Sequence, residues 1–124
     1  MGKKVMVVDD SSTVRQQVGT VLSRAGYEVV EAVDGIDGAE KIAGRSDLAM
    51  VICDVNMPRM NGIEMVALLK KDVKHAELTV VMLTTEGQPG LIARAKQAGA
   101  KGWIVKPFKP DMLLATVRKL VGTA

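Results

Sequence analysis

Five short apolar runs, rich in β-branched residues and separated by stretches long enough for a helix, restrict the possible folds more than any other feature of the sequence. They are Val5–Val8, Tyr27–Val30, Met50–Cys53, Thr79–Leu83 and Trp103–Val105. Between them apolar residues recur at helical spacing, as in Val14, Val18, Val21 and Leu22, or Ile63, Val66, Ala67 and Leu69. The pattern is a βα unit repeated five times. Strands that are apolar almost without interruption must be covered on both faces, and parallel strands need crossover connections that helices supply. An α/β domain with a five-stranded parallel sheet and five helices is therefore predicted. Helix punctuation agrees: Asn61 stands three residues before Glu64 in capping-box spacing, Asp34 is placed to cap the second helix, and Pro89 suits the first turn of the fourth. Gly26 and Gly99 fall where helices should stop.

With 124 residues the chain has the length of a single domain, predicted to span 1–124. It contains no apolar run of about 18 residues and no secretory leader, so a cytoplasmic protein without a membrane partner is expected. The Met1-Gly2 start lacks the Ser or Thr at position 6 that N-myristoylation requires, Met6 standing there instead. The one cysteine, Cys53, has no partner for an internal disulfide and lies in an apolar run, which predicts a buried, reduced core residue. The net charge of +3 divides unevenly: residues 1–86 hold 10 Lys and Arg against 13 Asp and Glu, a balance of −3, while residues 87–124 hold 7 against the single Asp111, a balance of +6.

The residues just after the runs carry the chemistry. The first run ends in Asp9-Asp10, the third in Asp54, the fourth in Thr84-Thr85 and the fifth in Lys106. In a parallel sheet these carboxyl ends share one edge, where open α/β sheets bind ligands at the point of strand-order reversal. Two like charges about 4 Å apart repel by roughly 4 kcal/mol at an effective dielectric of 20, so three converging carboxylates call for a cation. Only oxygen ligands are on offer, with no His or Cys cluster, which favours a hard ion; Mg2+ takes one or two carboxylates, keeps several waters and engages phosphate. An ionised carboxylate can itself attack phosphorus to give an aspartyl phosphate, and Asp54, beside the Asp9-Asp10 pair, is best placed to do so. Mg2+, Lys106 and the Thr84 hydroxyl would then neutralise the phosphoryl oxygens.

These motifs, in order and spacing, resemble the CheY-like receiver domain of two-component response regulators: Val7-Val8-Asp9-Asp10, Asp54-Val55-Asn56-Met57-Pro58, Leu83-Thr84-Thr85-Glu86 and Trp103-Ile104-Val105-Lys106-Pro107. The resemblance spans essentially the whole chain and is strongest to the single-domain chemotaxis type. It implies a flavodoxin-like, doubly wound sheet of order 2-1-3-4-5. It implies that Asp9, Asp10, Asp54 and the backbone carbonyl of Asn56 hold Mg2+, that Asp54 is the phosphoacceptor, and that Lys106 pairs with the phosphoryl group ahead of a cis-bonded Pro107. Thr84 corresponds to the hydroxyl that moves on activation, and Trp103 to the switch aromatic, more often Tyr or Phe. Asn56, Thr85 and Glu86 match positions that tune dephosphorylation; Thr85 replaces the common Ala and narrows access for water.

The resemblance also implies partners: a histidine kinase as phosphodonor, and a downstream target, in chemotaxis or motility, bound through the fourth helix, fifth strand and fifth helix. Arg94, Lys96, Lys101, Trp103, Lys109, Arg118 and Lys119 lie there, and their charge suits an acidic target surface. A phosphorelay intermediate or phosphate sink is the alternative. A phosphatase of the haloacid dehalogenase type would need a second Asp two residues after the nucleophile, where Asn56 stands. With one Trp, one Tyr and one Phe, the chain has little surface for stacking a flavin or nucleic-acid bases, and no nucleic-acid recognition motif is present. The Gly87-Gln88-Pro89-Gly90 stretch matches neither nucleotide-binding glycine motif. His75, among Lys71, Asp72, Lys74 and Glu77, reads as a solvated helix end or loop without a role in phosphotransfer.

Overall fold

A computed structural model describes residues 2–85 and 89–124, so Glu86, Gly87 and Gln88 lie outside the described residues. The elements follow in the expected alternation: β1 (Lys4–Val8), α1 (Ser12–Arg24), β2 (Glu28–Ala32), α2 (Gly35–Ala43), β3 (Leu48–Cys53), α3 (Gly62–Lys70), β4 (Thr79–Thr84), α4 (Pro89–Ala98), β5 (Gly102–Val105) and α5 (Pro110–Val121), with one 3-10 turn at Val73–His75. All strand pairs are parallel and the order is β2-β1-β3-β4-β5. The fold is the flavodoxin-like one that the motifs imply. Among the described residues no helix is long and apolar enough to cross a membrane.

The alternation of side chains along each strand divides the core in two. Met6 and Val8, Val51 and Cys53, and Val80 and Met82 face α2, α3 and α4, where Ile42, Met65, Val66 and Ala95 meet them. Val5 and Val7, Met50 and Ile52, and Val81 and Leu83 face α1 and α5, against Val18, Leu22, Leu113 and Val117. Burial of each large side chain stabilises the fold by roughly 1.5–3 kcal/mol, which is why both faces of these strands are apolar. Cys53 is buried and carries a free thiol, as its setting in an apolar run predicts.

Local chemistry fixes where the helices start. The Ser11 hydroxyl accepts the Val14 N–H at 3.3 Å, and the Asp34 carboxylate accepts the Asp37 N–H at 2.8 Å. At α3 the capping box is complete: the Asn61 side chain accepts the Glu64 N–H at 2.8 Å, and the Glu64 carboxylate accepts the Asn61 N–H at 3.1 Å. Gly26 and Gly99 take positive φ just past α1 and α4.

His75 departs from the sequence reading. Its ring is buried, not solvated, with Nε2 3.0 Å from the Arg45 carbonyl oxygen and Nδ1 3.5 Å from an Asp72 carboxylate oxygen. The 3-10 turn directs the ring inward while Asp72 and Lys74 stay exposed, so the charged neighbours said nothing about its own side.

Gly62 closes the connection after β3: its N–H reaches the Val55 carbonyl at 2.9 Å, and a Cβ added there would stand 2.1 Å from the Asp54 carbonyl oxygen. Gly44, beyond α2, has nothing within 4 Å of an added Cβ. Gly62→Ala is therefore expected to lower unfolding stability by about 2–4 kcal/mol. Gly44→Ala should leave it unchanged or raise it by about 0.5 kcal/mol, both read from urea denaturation.

Candidate functional site

Parallel pairing brings the strand ends together. Val8 is in register with both Ala32 and Cys53, and the next residues continue the ladder: the Asp9 N–H donates to the Ala32 carbonyl at 3.1 Å, and the Asp54 N–H to the Val8 carbonyl at 2.9 Å. Chain order reverses here, since β2 lies on one side of β1 and β3 on the other. The result is a crevice at a topological switch point.

Asp9, Asp10 and Asp54 each offer a carboxylate oxygen, and these oxygens lie within 4.8 Å of one another. Asp9 and Asp54 are buried and Asp10 is exposed. From β5, Lys106 reaches in with its Nζ 2.9 Å from Asp9 Oδ2 and 3.6 Å from Asp54 Oδ2. The other Asp9 oxygen accepts the Ser11 N–H at 2.9 Å. Helix capping at this point belongs to Ser11, which leaves both acidic side chains for the crevice.

Three carboxylates against one ammonium leave the cluster underneutralised, and Asp54 registers the imbalance. Its carboxyl is pushed up to about 6, first by burial, next by the negative charge of Asp9, and further by Asp10. Lys106 and the Val55 N–H act in the opposite direction without cancelling the rise. The neighbouring Cys53 thiol is raised well above its ordinary value by burial and by the same carboxylates, so it is no nucleophile. The donor set is all oxygen and carries excess negative charge, which fits a hard divalent cation of the Mg2+ kind and does not fit a soft metal.

Thr84 is buried at the end of β4, and its carbonyl accepts the Lys106 N–H at 2.7 Å. Trp103 pairs with Met82 in the sheet and packs on the α2–α4 side of the core; by strand alternation Thr84 lies on that same face. The Trp103 ring is half-buried, and its indole N–H is buried with no hydrogen-bond partner among the described residues. The Lys106–Pro107 peptide is cis. Asn56 and Thr85 are exposed, and Thr85 lines a cleft of about 790 Å³ with Lys106, Phe108, Val14 and Gln17, between α1 and the β5–α5 connection. Glu86 is outside the described residues. Arg94, Lys96, Lys101, Lys109, Arg118 and Lys119 are all exposed, on or beside α4, β5 and α5.

Two contacts escaped the sequence reading. Arg15 Nη1 donates to the Asp9 carbonyl at 2.6 Å while its Nε reaches Glu31 at 3.1 Å, fixing the backbone of the acidic pair. Arg59 makes a two-pronged pair with Asp34, at 2.7 and 2.9 Å, and holds the Asp34 carboxyl below the usual carboxylate range. Arg59 also sits at φ +67°, a left-handed conformation that costs a residue with a Cβ roughly 1–2 kcal/mol. Asp34 lies 25 residues from Arg59 and Glu31 lies 16 from Arg15, and the six-residue step from Arg15 to the Asp9 carbonyl fits no capping motif, so no local pattern announced these contacts.

Residues 5–118 match the family described as the response regulator receiver domain. The chain is 41% identical over 121 residues to the chemotaxis protein CheY1 of Helicobacter pylori, covering 97% of this chain and 98% of that one. It is 35% identical over 122 residues to the chemotaxis protein CheY of Thermotoga maritima, with 97% and 98% covered. Among solved structures, the chemotaxis response regulator CheY4 of Vibrio cholerae superposes with a TM-score of 0.91 at 40% identity, covering 97% of this chain and 99% of that one. The matched span runs from within β1 into α5 and so contains every strand end that contributes to the acidic crevice, and on that ground the chain belongs to the response regulator receiver domains.

Proposed function

We propose that residues 1–124 act as one receiver domain that takes a phosphoryl group from a histidine kinase onto Asp54 and thereby changes its affinity for a target protein in chemotaxis or motility. The observation that carries this reading is the placement of the Asp54 carboxylate 3.6 Å from the Lys106 ammonium and within 4.8 Å of the Asp9 and Asp10 oxygens. Such a site positions a nucleophile and answers charge on a transferred phosphoryl group, which is most of what phosphoryl transfer asks of a protein. An Asp54 oxygen attacks phosphorus, the bond to the donor breaks, and its electron pair leaves with the donor. Lys106 neutralises one phosphoryl oxygen. Asp9, Asp10, Asp54 and the Asn56 carbonyl would hold Mg2+, which when bound supplies charge neutralisation and keeps Asp54 ionised.

A receiver domain is a signalling module, not a turnover enzyme, and the remaining roles accord with that. Thr84 and Trp103, on one face of adjoining strands, would carry the change outward to the α4-β5-α5 surface. The exposed cations there fit an acidic target in the cytoplasm, and association should weaken as salt rises. Asn56, Thr85 and Glu86 are proposed to set the lifetime of the phosphorylated form. The relatives' names support the chemotaxis assignment.

Incubation with Mg2+ and a small acyl phosphate should add one phosphoryl group by intact mass, and the gain should vanish in Asp54→Asn and in EDTA. Unmodified parent protein after such treatment would overturn the reading. A second expectation concerns pH. In metal-free protein Asp54 binds its proton more tightly when folded, at about 6 against an ordinary 3.8, so its contribution to stability is full below pH 4 and is lost as pH rises through 6. The stability advantage of Asp54→Asn over the parent in EDTA should therefore be greater at pH 7.5 than at pH 4, by up to about 3 kcal/mol, and saturating Mg2+ should remove the difference. Urea unfolding at the two pH values checks it.

A further inference from the structure

We propose that the Asp34–Arg59 ion pair is a positioning device for the acidic crevice: it clamps the 55–61 connection to the start of α2, so that Asp54 and the backbone after it present one fixed oxygen array to a divalent cation. The inference rests on the phosphoacceptor reading above.

The connection between β3 and α3 is held at two places. At its base the Gly62 N–H donates to the Val55 carbonyl at 2.9 Å, and within it the Met60 N–H donates to the Pro58 carbonyl at 2.7 Å. At its apex Arg59 grips Asp34, with Nε 2.7 Å from Oδ2 and Nη2 2.9 Å from Oδ1. Asp34 is itself immobilised, because it is buried and its Oδ1 also takes the Asp37 N–H at 2.8 Å. Next to it Gly35 admits the loop so closely that an added Cβ would lie 2.4 Å from the Met60 carbonyl oxygen.

These contacts close a ring around the cluster. Asp9 is bonded to Ala32, two residues before Asp34; Asp34 holds Arg59, five residues after Asp54; and Asp54 is bonded back to Val8, next to Asp9. The Arg59 half of the pair is 54% exposed, so solvent screens the attraction and limits what it adds to stability, although Asp34 is buried. Yet Arg59 keeps a left-handed backbone to make it, and the two-pronged geometry fixes orientation as well as distance. Contacts of this kind, one layer behind the groups that hold an ion, orient them.

The test uses the full chain with Arg59→Ala, Arg59→Lys, Asp34→Asn and the double variant Asp34→Asn/Arg59→Ala. Asp34→Asn keeps an acceptor for the α2 cap and removes the charge. Mg2+ affinity is read by titration calorimetry, amide exchange of residues 55–62 is followed in EDTA, and urea midpoints report the fold. Affinity is expected to fall about tenfold in each of Arg59→Ala and Asp34→Asn and no further in the double variant. Protection at Met60 should be lost while urea midpoints stay close to the parent's, and Arg59→Lys should recover only part of the affinity. Parent-like affinity and exchange in both single variants would overturn the positioning role alone. A parent protein that takes up neither Mg2+ nor a phosphoryl group would overturn the phosphoacceptor reading and this inference with it.

Discussion

The attraction between the Lys106 ammonium and Asp9, 2.9 Å apart, is the contact on which the acidic edge of this sheet depends. Without it three carboxylate oxygens would share a space less than 5 Å across with no cationic side chain paired to them among the described residues. With it the balance is still negative, and the unevenness falls on Asp54, whose carboxyl stays well above its ordinary range. The site is thus less stable than an apolar crevice would be, and the rest of the molecule must hold it open. Two apolar layers lock β1, β3 and β4 from both faces, the Ser11 N–H donates to Asp9, and Arg15 binds the Asp9 carbonyl. A fold that gathers like charges at one edge while its core is otherwise consistent marks that edge as the place of function.

Much of this was readable in the sequence, for reasons that differ by residue. The strands were legible because parallel strands buried on both faces must be apolar at successive positions, as Val5–Val8 and Met50–Cys53 are. Helix starts were legible because a capping box spans only four residues, complete within Asn61–Glu64. The acidic cluster was legible because Asp9 and Asp54 directly follow strands and Asp10 stands one residue further on, so topology alone brings them to one edge. The strand order came from the resemblance, since no periodicity says which side of β1 receives β3. Long-range polar pairs were not legible at all: Arg59 and Asp34 are 25 residues apart, and nothing local distinguishes Arg59 from any exposed arginine. His75 misled because charged neighbours do not make a whole turn solvated: a 3-10 turn sends successive side chains in different directions.

The strand β5 is where the site meets the surface. It is only four residues long, yet Trp103 on it faces the α4 side of the core and Lys106 directly after it enters the acidic cluster. The backbone joins the two ends to the neighbouring strand, Trp103 lying beside Met82, and the Lys106 N–H bonded to the Thr84 carbonyl. Lys106 thus stands three residues from the indole along one backbone. An indole in this place differs from a phenol or phenyl ring in two ways: it is larger, and it carries an N–H that is buried here without a partner among the described residues. A buried donor in that condition costs about 1–3 kcal/mol. Trp103 and Lys106 thus tie the acidic edge to the α4 side of the core along one short strand, and α4 itself carries the exposed cations Arg94 and Lys96.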